Sequence, residues 1–180
     1  MNSLREPGTT LVACVGNIFL GDDGFGVEVA HSLSRRVLPQ NVQVKDFGIR
    51  GFDLAYALLE PLEAVILVDA LPRDDAPGTL YVVKPDLSRM GNPATPGMEI
   101  NPHGMDPVRV LNLALSMGAI LAPVFLLGCQ PNDFGDELEG RMALSAPVQA
   151  VVEEASNMVE ELIAKIRANV LQPEEFEVAQ

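Results

Sequence analysis

The sequence predicts an α/β three-layer sandwich: a mixed, largely parallel sheet of about five strands flanked by helices. Three observations carry this. Short apolar runs of about five residues, β-branched or aliphatic, recur along the chain and end at Gly, Pro or Asp. Stretches of helical periodicity lie between most of them, the pattern of parallel strands joined by crossover helices. One neighbouring pair of runs, 64–68 and 79–83, is joined by a loop with no room for a helix. The second of that pair is therefore expected antiparallel or at an edge, which makes the sheet mixed.

In chain order, residues 11–15 form the first strand. Residues 24–38 place Phe25, Val29, Leu33 and Val37 at spacings of four, one apolar stripe of a helix. Arg35 and Arg36 suit the negative end of its dipole, and Pro39 stops it. A second strand is expected at 42–47, a short helix at 52–59, and the third and fourth strands at 64–68 and 79–83. Residues 84–105 are the most irregular stretch, with Gly91, Pro93, Pro96, Gly97, Pro102 and Gly104. A loop of that length is usually functional or mobile. Residues 107–117 form a helix with Val108, Leu111 and Leu115 on one side, and 123–127 the fifth strand. The last helix is expected at 146–168, with Ser145 as N-cap and Pro147 in its first turn.

The 180 residues suit a single domain over 1–180, with 1–9 and 170–180 as flexible termini. Hydrophobic residues make up 48%, but only 5% are aromatic and there is no Trp, so the core is built from Leu, Val, Ala and Ile. The net charge of −13 repels phosphate backbones and excludes nucleic acid as a partner. Glu174, Glu175 and Glu177 read as a solvated tail. Cys14 and Cys129 lack CxxC spacing and read as buried thiols in a reducing compartment. The polar N-terminus does not resemble a signal peptide, and no run of about 18 apolar residues spans a membrane. A cytoplasmic location is expected.

The stretch from Gly16 to Gly26, GNIFLGDDGFG, follows the first strand and opens the first helix, where a phosphate loop would lie. Its later glycines run GxxGxG, not GxGxxG, and Asp22 stands where a P-loop has lysine. Asp22 and Asp23 at a helix N-terminus repel phosphate and attract a cation. One of the two suffices to cap the helix. Asp69 ends the run 64–68, at the strand end where α/β proteins bind ligands. If the first and third strands are parallel, Asp23 and Asp69 face one crevice. Of the two histidines, His31 lies within the first helix and reads as a surface or packing residue. His103, in the irregular loop just before a helix, is the candidate ligand. Two carboxylates and an imidazole suit a first-row divalent metal such as nickel or zinc. With no cysteine or second histidine in the set, the metal need not be resident and a partner can supply it.

These residues resemble the hydrogenase maturation endopeptidases over most of the chain, from about Leu11 to the last helix. The shared features are Val15-Gly16-Asn17 through Asp22-Asp23-Gly24-Phe25-Gly26, then Val68-Asp69-Ala70 followed by Pro77-Gly78-Thr79. Pro102-His103-Gly104, Gly128-Cys129-Gln130-Pro131 and Leu144-Ser145 complete the set. The family often has Gly-x-Gly-Asn, and this chain departs from it at Cys14. The resemblance implies a peptide-bond hydrolase that removes a C-terminal extension from a nickel–iron hydrogenase large-subunit precursor after nickel insertion. It also implies that Asp23, Asp69 and His103 contact the nickel, which the substrate supplies. Either aspartate can then serve as general base toward a water nucleophile. Two other readings stand beside it: a non-catalytic metal-sensing chaperone, and an independent small-amide metallohydrolase.

Overall fold

The computed structural model describes residues 8–87, 106–135, 140–170 and 177–179. Six strands form one sheet in the order β2-β1-β3-β5-β4-β6. They are β1 (Thr9–Val15), β2 (Val42–Gly48), β3 (Leu62–Ala70), β4 (Leu80–Pro85), β5 (Val124–Cys129) and β6 (Glu177–Ala179). β1 pairs in parallel with β2 and β3, and β3 pairs in parallel with β5. β4 runs antiparallel to β5, as its short connection requires, and β6 pairs in parallel with β4. β1 and β3 are central and buried on both faces, which is why they read as unbroken apolar runs. β2 lies at the edge and alternates.

Helices cover both faces. On one, α1 (Phe25–Leu33), α4 (Ala146–Ala150) and α5 (Val152–Ala168) pack on Val12, Cys14, Ile66, Val68, Phe125 and Leu127. On the other, α2 (Gly51–Ala57) and α3 (Pro107–Ser116) pack on Leu11, Ala13, Val15, Val65 and Leu67. Gly26 sets how closely α1 approaches the sheet. A Cβ there would lie 2.1 Å from the Val15 carbonyl oxygen and 2.6 Å from that of Val68. The last glycine of the motif thus serves helix–sheet packing. Among the described residues no helix is long and apolar enough to cross a membrane.

Several element boundaries differ from the expectation. The first helix ends at Leu33, not residue 38, and Val37 is 99% exposed and off the apolar stripe. Pro39 disfavours helical backbone at the residue before it. The Ser34 hydroxyl also bonds the His31 carbonyl and closes the last turn. Arg36 is engaged across the layer, donating to Glu153, Asn157 and Glu160 of α5. In α3 the buried stripe is Pro107, Val110, Leu111 and Ala114, while Val108 is exposed. The last helix breaks at Val151 into α4 and α5. Ser145 precedes α4 without capping it by its side chain. At the ends expected to be flexible, Thr9 already pairs with Leu62, and Glu177–Ala179 forms β6. Within 84–105, Lys84 and Pro85 belong to β4, and residues 88–105, His103 among them, lie outside the described residues.

Candidate active site

The carboxyl ends of β2, β1, β3 and β5 share one edge of the sheet because all four are parallel. The loop after β1 turns back on itself there. The Asn17 carbonyl accepts the Leu20 N–H at 3.0 Å, and the Asn17 side chain accepts the Phe19 N–H at 3.0 Å. Asp23 Oδ2 then accepts the Asn17 N–H at 2.8 Å, which holds the carboxylate at the end of β1. Asp69 is the penultimate residue of β3 and is opposite Gly128 of β5 in register. It is buried, and its Oδ1 accepts the Ala70 N–H at 2.8 Å.

The two aspartates act on each other. Burial raises the Asp69 pKa well above the ordinary carboxylate value, the Asp23 charge raises it further, the Ala70 N–H opposes, and Asp106 adds a smaller push. Burial raises Asp23 as well, partly offset by the Asn17 N–H. Like-charged carboxyls in one partly buried site hold a proton between them more readily than either does alone. Such a pair can offer an acid and a base to the same reacting group.

Asp22, beside Asp23, has a different task. It is fully buried, and its carboxylate accepts the N–H groups of Asn132 at 2.8 Å, Asp133 at 3.1 Å and Ser145 at 2.6 Å, and the Ser145 hydroxyl at 2.8 Å. Burial alone would raise its pKa, but these four bonds outweigh it and hold Asp22 below the ordinary value. Neither aspartate caps α1, whose N-cap, Gly24, has no side-chain bond. Asp22 instead ties the β1 loop to the segment after β5. Its partners are more than a hundred residues away, so no local spacing could reveal this role.

The other side of Asp69 is walled by Tyr81. Asp69, Gly128 and Tyr81 lie in one register row across β3, β5 and β4. The Tyr81 ring covers Gly128 so closely that a Cβ there would sit 2.3 Å from ring atom Cζ. The Tyr81 hydroxyl donates to the Leu71 carbonyl at 2.7 Å, just beyond Asp69. Arg73 stacks on the ring, 4.6 Å from its centroid, and its N–H is accepted by buried Gln130 at 2.6 Å. Gly128→Ala is expected to push Tyr81 off this wall at a cost of about 1–3 kcal/mol. A urea-unfolding midpoint equal to that of the parent would contradict the close packing.

The remaining candidates separate cleanly. His31 is exposed on α1, 3.7 Å from Glu28, and has no part in the site. His103 lies outside the described residues. Asp106, three residues later, caps α3 by accepting the Val108 N–H at 2.9 Å, and its charge is felt at Asp69. Cys14 and Cys129 are free and buried on the same face of the sheet, on strands separated by β3. That puts them roughly 10 Å apart, too far for a disulfide. Burial pushes the Cys129 thiol up to about 12 and Cys14 above the usual thiol range, so neither is a nucleophile at neutral pH. Among the described residues no group of three or more His, Cys, Asp or Glu is gathered to hold a metal.

The family model described as hydrogenase maturation protease matches residues 27–162, well over half of the chain. The chain belongs to the hydrogenase maturation protease family. It is 32% identical over 157 residues to the hydrogenase expression/formation protein HupD of Rhodobacter capsulatus, covering 83% of this chain and 70% of that one. It is 28% identical over 158 residues to the hydrogenase 2 maturation protease of Escherichia coli, covering 87% and 90%. The fold matches the hydrogenase maturating endopeptidase HybD of E. coli with a TM-score of 0.67 at 27% identity, covering 89% of this chain and 93% of that one. This maturation protease is therefore a peptide-bond hydrolase, and the chaperone and small-amide readings fall away.

Proposed function

We propose that this maturation protease removes the C-terminal extension of a nickel–iron hydrogenase large-subunit precursor once nickel has been inserted, and that it does so in the cytoplasm. Asp23, Asp69 and His103 read the nickel, which belongs to the substrate. The observation that carries the reading is the meeting of Asp23 and Asp69, from separate strand ends, in one electrostatically coupled site. Two carboxyl groups at one strand edge, Asp69 buried and Asp23 half-buried, favour a cation and disfavour an anion. Asp106 lies within electrostatic reach of Asp69, and His103 stands three residues before it in the sequence.

In this reading a water molecule attacks the scissile carbonyl. Asp23, the more open of the two aspartates, accepts the water's proton. Asp23 then passes that proton to the leaving amine as the C–N bond breaks. Asp69 shares the proton with Asp23 and, with His103, holds the nickel-bearing end of the substrate at the scissile bond.

The test mixes the purified protein with nickel-loaded and nickel-free precursor and reads the product masses. Cleavage is expected only with nickel, and His103→Ala is expected to abolish it. Equal cleavage of both precursors would remove the nickel requirement, and full activity of His103→Ala would remove that residue from the site.

A further inference from the structure

The β1 loop and its neighbours carry large apolar side chains in water at the edge where Asp23 sits. Phe19 is 56% exposed, Ile49 66%, Phe52 70% and Met142 72%, with Ile18 and Tyr56 also exposed. Backbone hydrogen bonds join their segments into one rim. The Arg141 N–H donates to the Phe19 carbonyl at 2.9 Å and Leu20 bridges Arg141, which brings the segment carrying Met142 alongside the Phe19–Gly21 segment. The Gly16 N–H donates to the Gly48 carbonyl at 3.1 Å, so the loop that carries Ile18 and Phe19 and the turn that carries Ile49 leave the sheet at the same edge. Phe52 and Tyr56 follow at helical spacing on the outer side of α2. Asp23, bonded to the Asn17 N–H, lies beneath this loop. Several large apolar side chains exposed at one edge of the sheet mark an interaction site.

Resting on the assignment of Asp23 and Asp69 to the active site, we infer that the rim formed by Phe19, Ile49, Phe52 and Met142 docks apolar side chains of the precursor segment flanking the scissile bond. Its position selects that occupant. A permanent partner, a second copy included, would cover the approach to Asp23, whereas a substrate arrives and leaves with each turnover. Charge agrees. The chain carries −13 overall, yet Arg50 within the rim is paired with Asp53 at 3.9 Å, so this surface recognises shape and apolar area more than charge.

The test compares the parent with an Ile49→Ser/Phe52→Ser double variant on nickel-loaded precursor. Both side chains are exposed, so the fold is expected to survive, and thermal melting checks it. KM is expected to rise about tenfold or more, with kcat within about twofold. Val37→Ser/Ile120→Ser, at fully exposed apolar positions outside the rim, is the control and is expected to leave KM unchanged. An unchanged KM in the rim variant, or an equal rise in the control, overturns the inference. So does light scattering that shows a parent dimer dissociated by the rim variant. If the parent cleaves no precursor, the proposed function fails. A binding titration with the same precursor then decides the rim, which requires Kd to weaken about tenfold in the rim variant alone.

Discussion

Asp69→Asn is expected to lower precursor cleavage by about 100- to 10,000-fold, the range for loss of a group that handles a proton at the reacting centre. The same substitution is expected to stabilise the protein at neutral pH. Asp69 is buried beside Asp23, and its folded pKa lies well above the ordinary value of 3.8. The folded chain therefore binds that proton more tightly than the unfolded chain does. The stability this supplies is fully present below about pH 4 and is lost as pH rises through the folded value. Asparagine keeps an oxygen for the Ala70 N–H and does not titrate. The variant's melting temperature minus the parent's should thus grow between about pH 4 and pH 8. A difference that shrinks over that window would contradict the burial and coupling of Asp69, and cleavage within a few-fold of the parent would take it out of the chemistry. Loss of activity together with a gain of stability separates a functional carboxyl from a structural one.

Asp22→Ala is expected to show the opposite profile in stability. It removes a buried acceptor from three backbone N–H groups, those of Asn132, Asp133 and Ser145, which are themselves only partly buried. Hydrogen bonds to a charged group contribute about 1.5–3 kcal/mol each, and less where water can replace the acceptor, so the combined loss should be about 3 kcal/mol. For a domain of this size that is roughly 6–12 °C in melting temperature. Asp22→Asn should recover only part of it, because the new amide turns donors toward donors. The folded pKa of Asp22 lies below the ordinary value of 3.8. Its contribution is present above that value and is lost as pH falls through the depressed one. The deficit of the Asp22→Ala variant should therefore narrow in acid below about pH 4. A deficit under about 1 kcal/mol at neutral pH would show that the strapping bonds are weak.

These two neighbours show what a linear reading can and cannot separate. Asp22-Asp23 was legible as an acidic pair at a helix N-terminus, and the missing phosphate-loop spacing was legible too. That Asp23 faces the crevice was part of the same reading, but that Asp22 is spent on structure was not legible. That division depends on Asn132, Asp133 and Ser145, which the fold delivers from the far side of β5. The same contact explains why Ser145, which does occupy the N-cap position of α4, makes no side-chain cap. Its position before a helix with Pro147 in the first turn suits an N-cap, but its hydroxyl is engaged by Asp22. Tyr81 gave no signal, because its link to Asp69 exists only through the register of three strands.

The sequence by itself determined the alternation of strands and helices, the antiparallel β4, the burial of both cysteines and the strand end at which Asp69 lies. Each follows from local rules: apolar periodicity, loop length and the turn chemistry of Gly and Pro. Tertiary structure decided where α1 stops, which face of α3 is buried, how Asp22 and Asp23 divide their work, and which apolar side chains stay in water around them. Those outcomes rest on hydrogen bonds and packing between residues far apart in the chain, whose energies outweigh the small local preferences that a sequence displays.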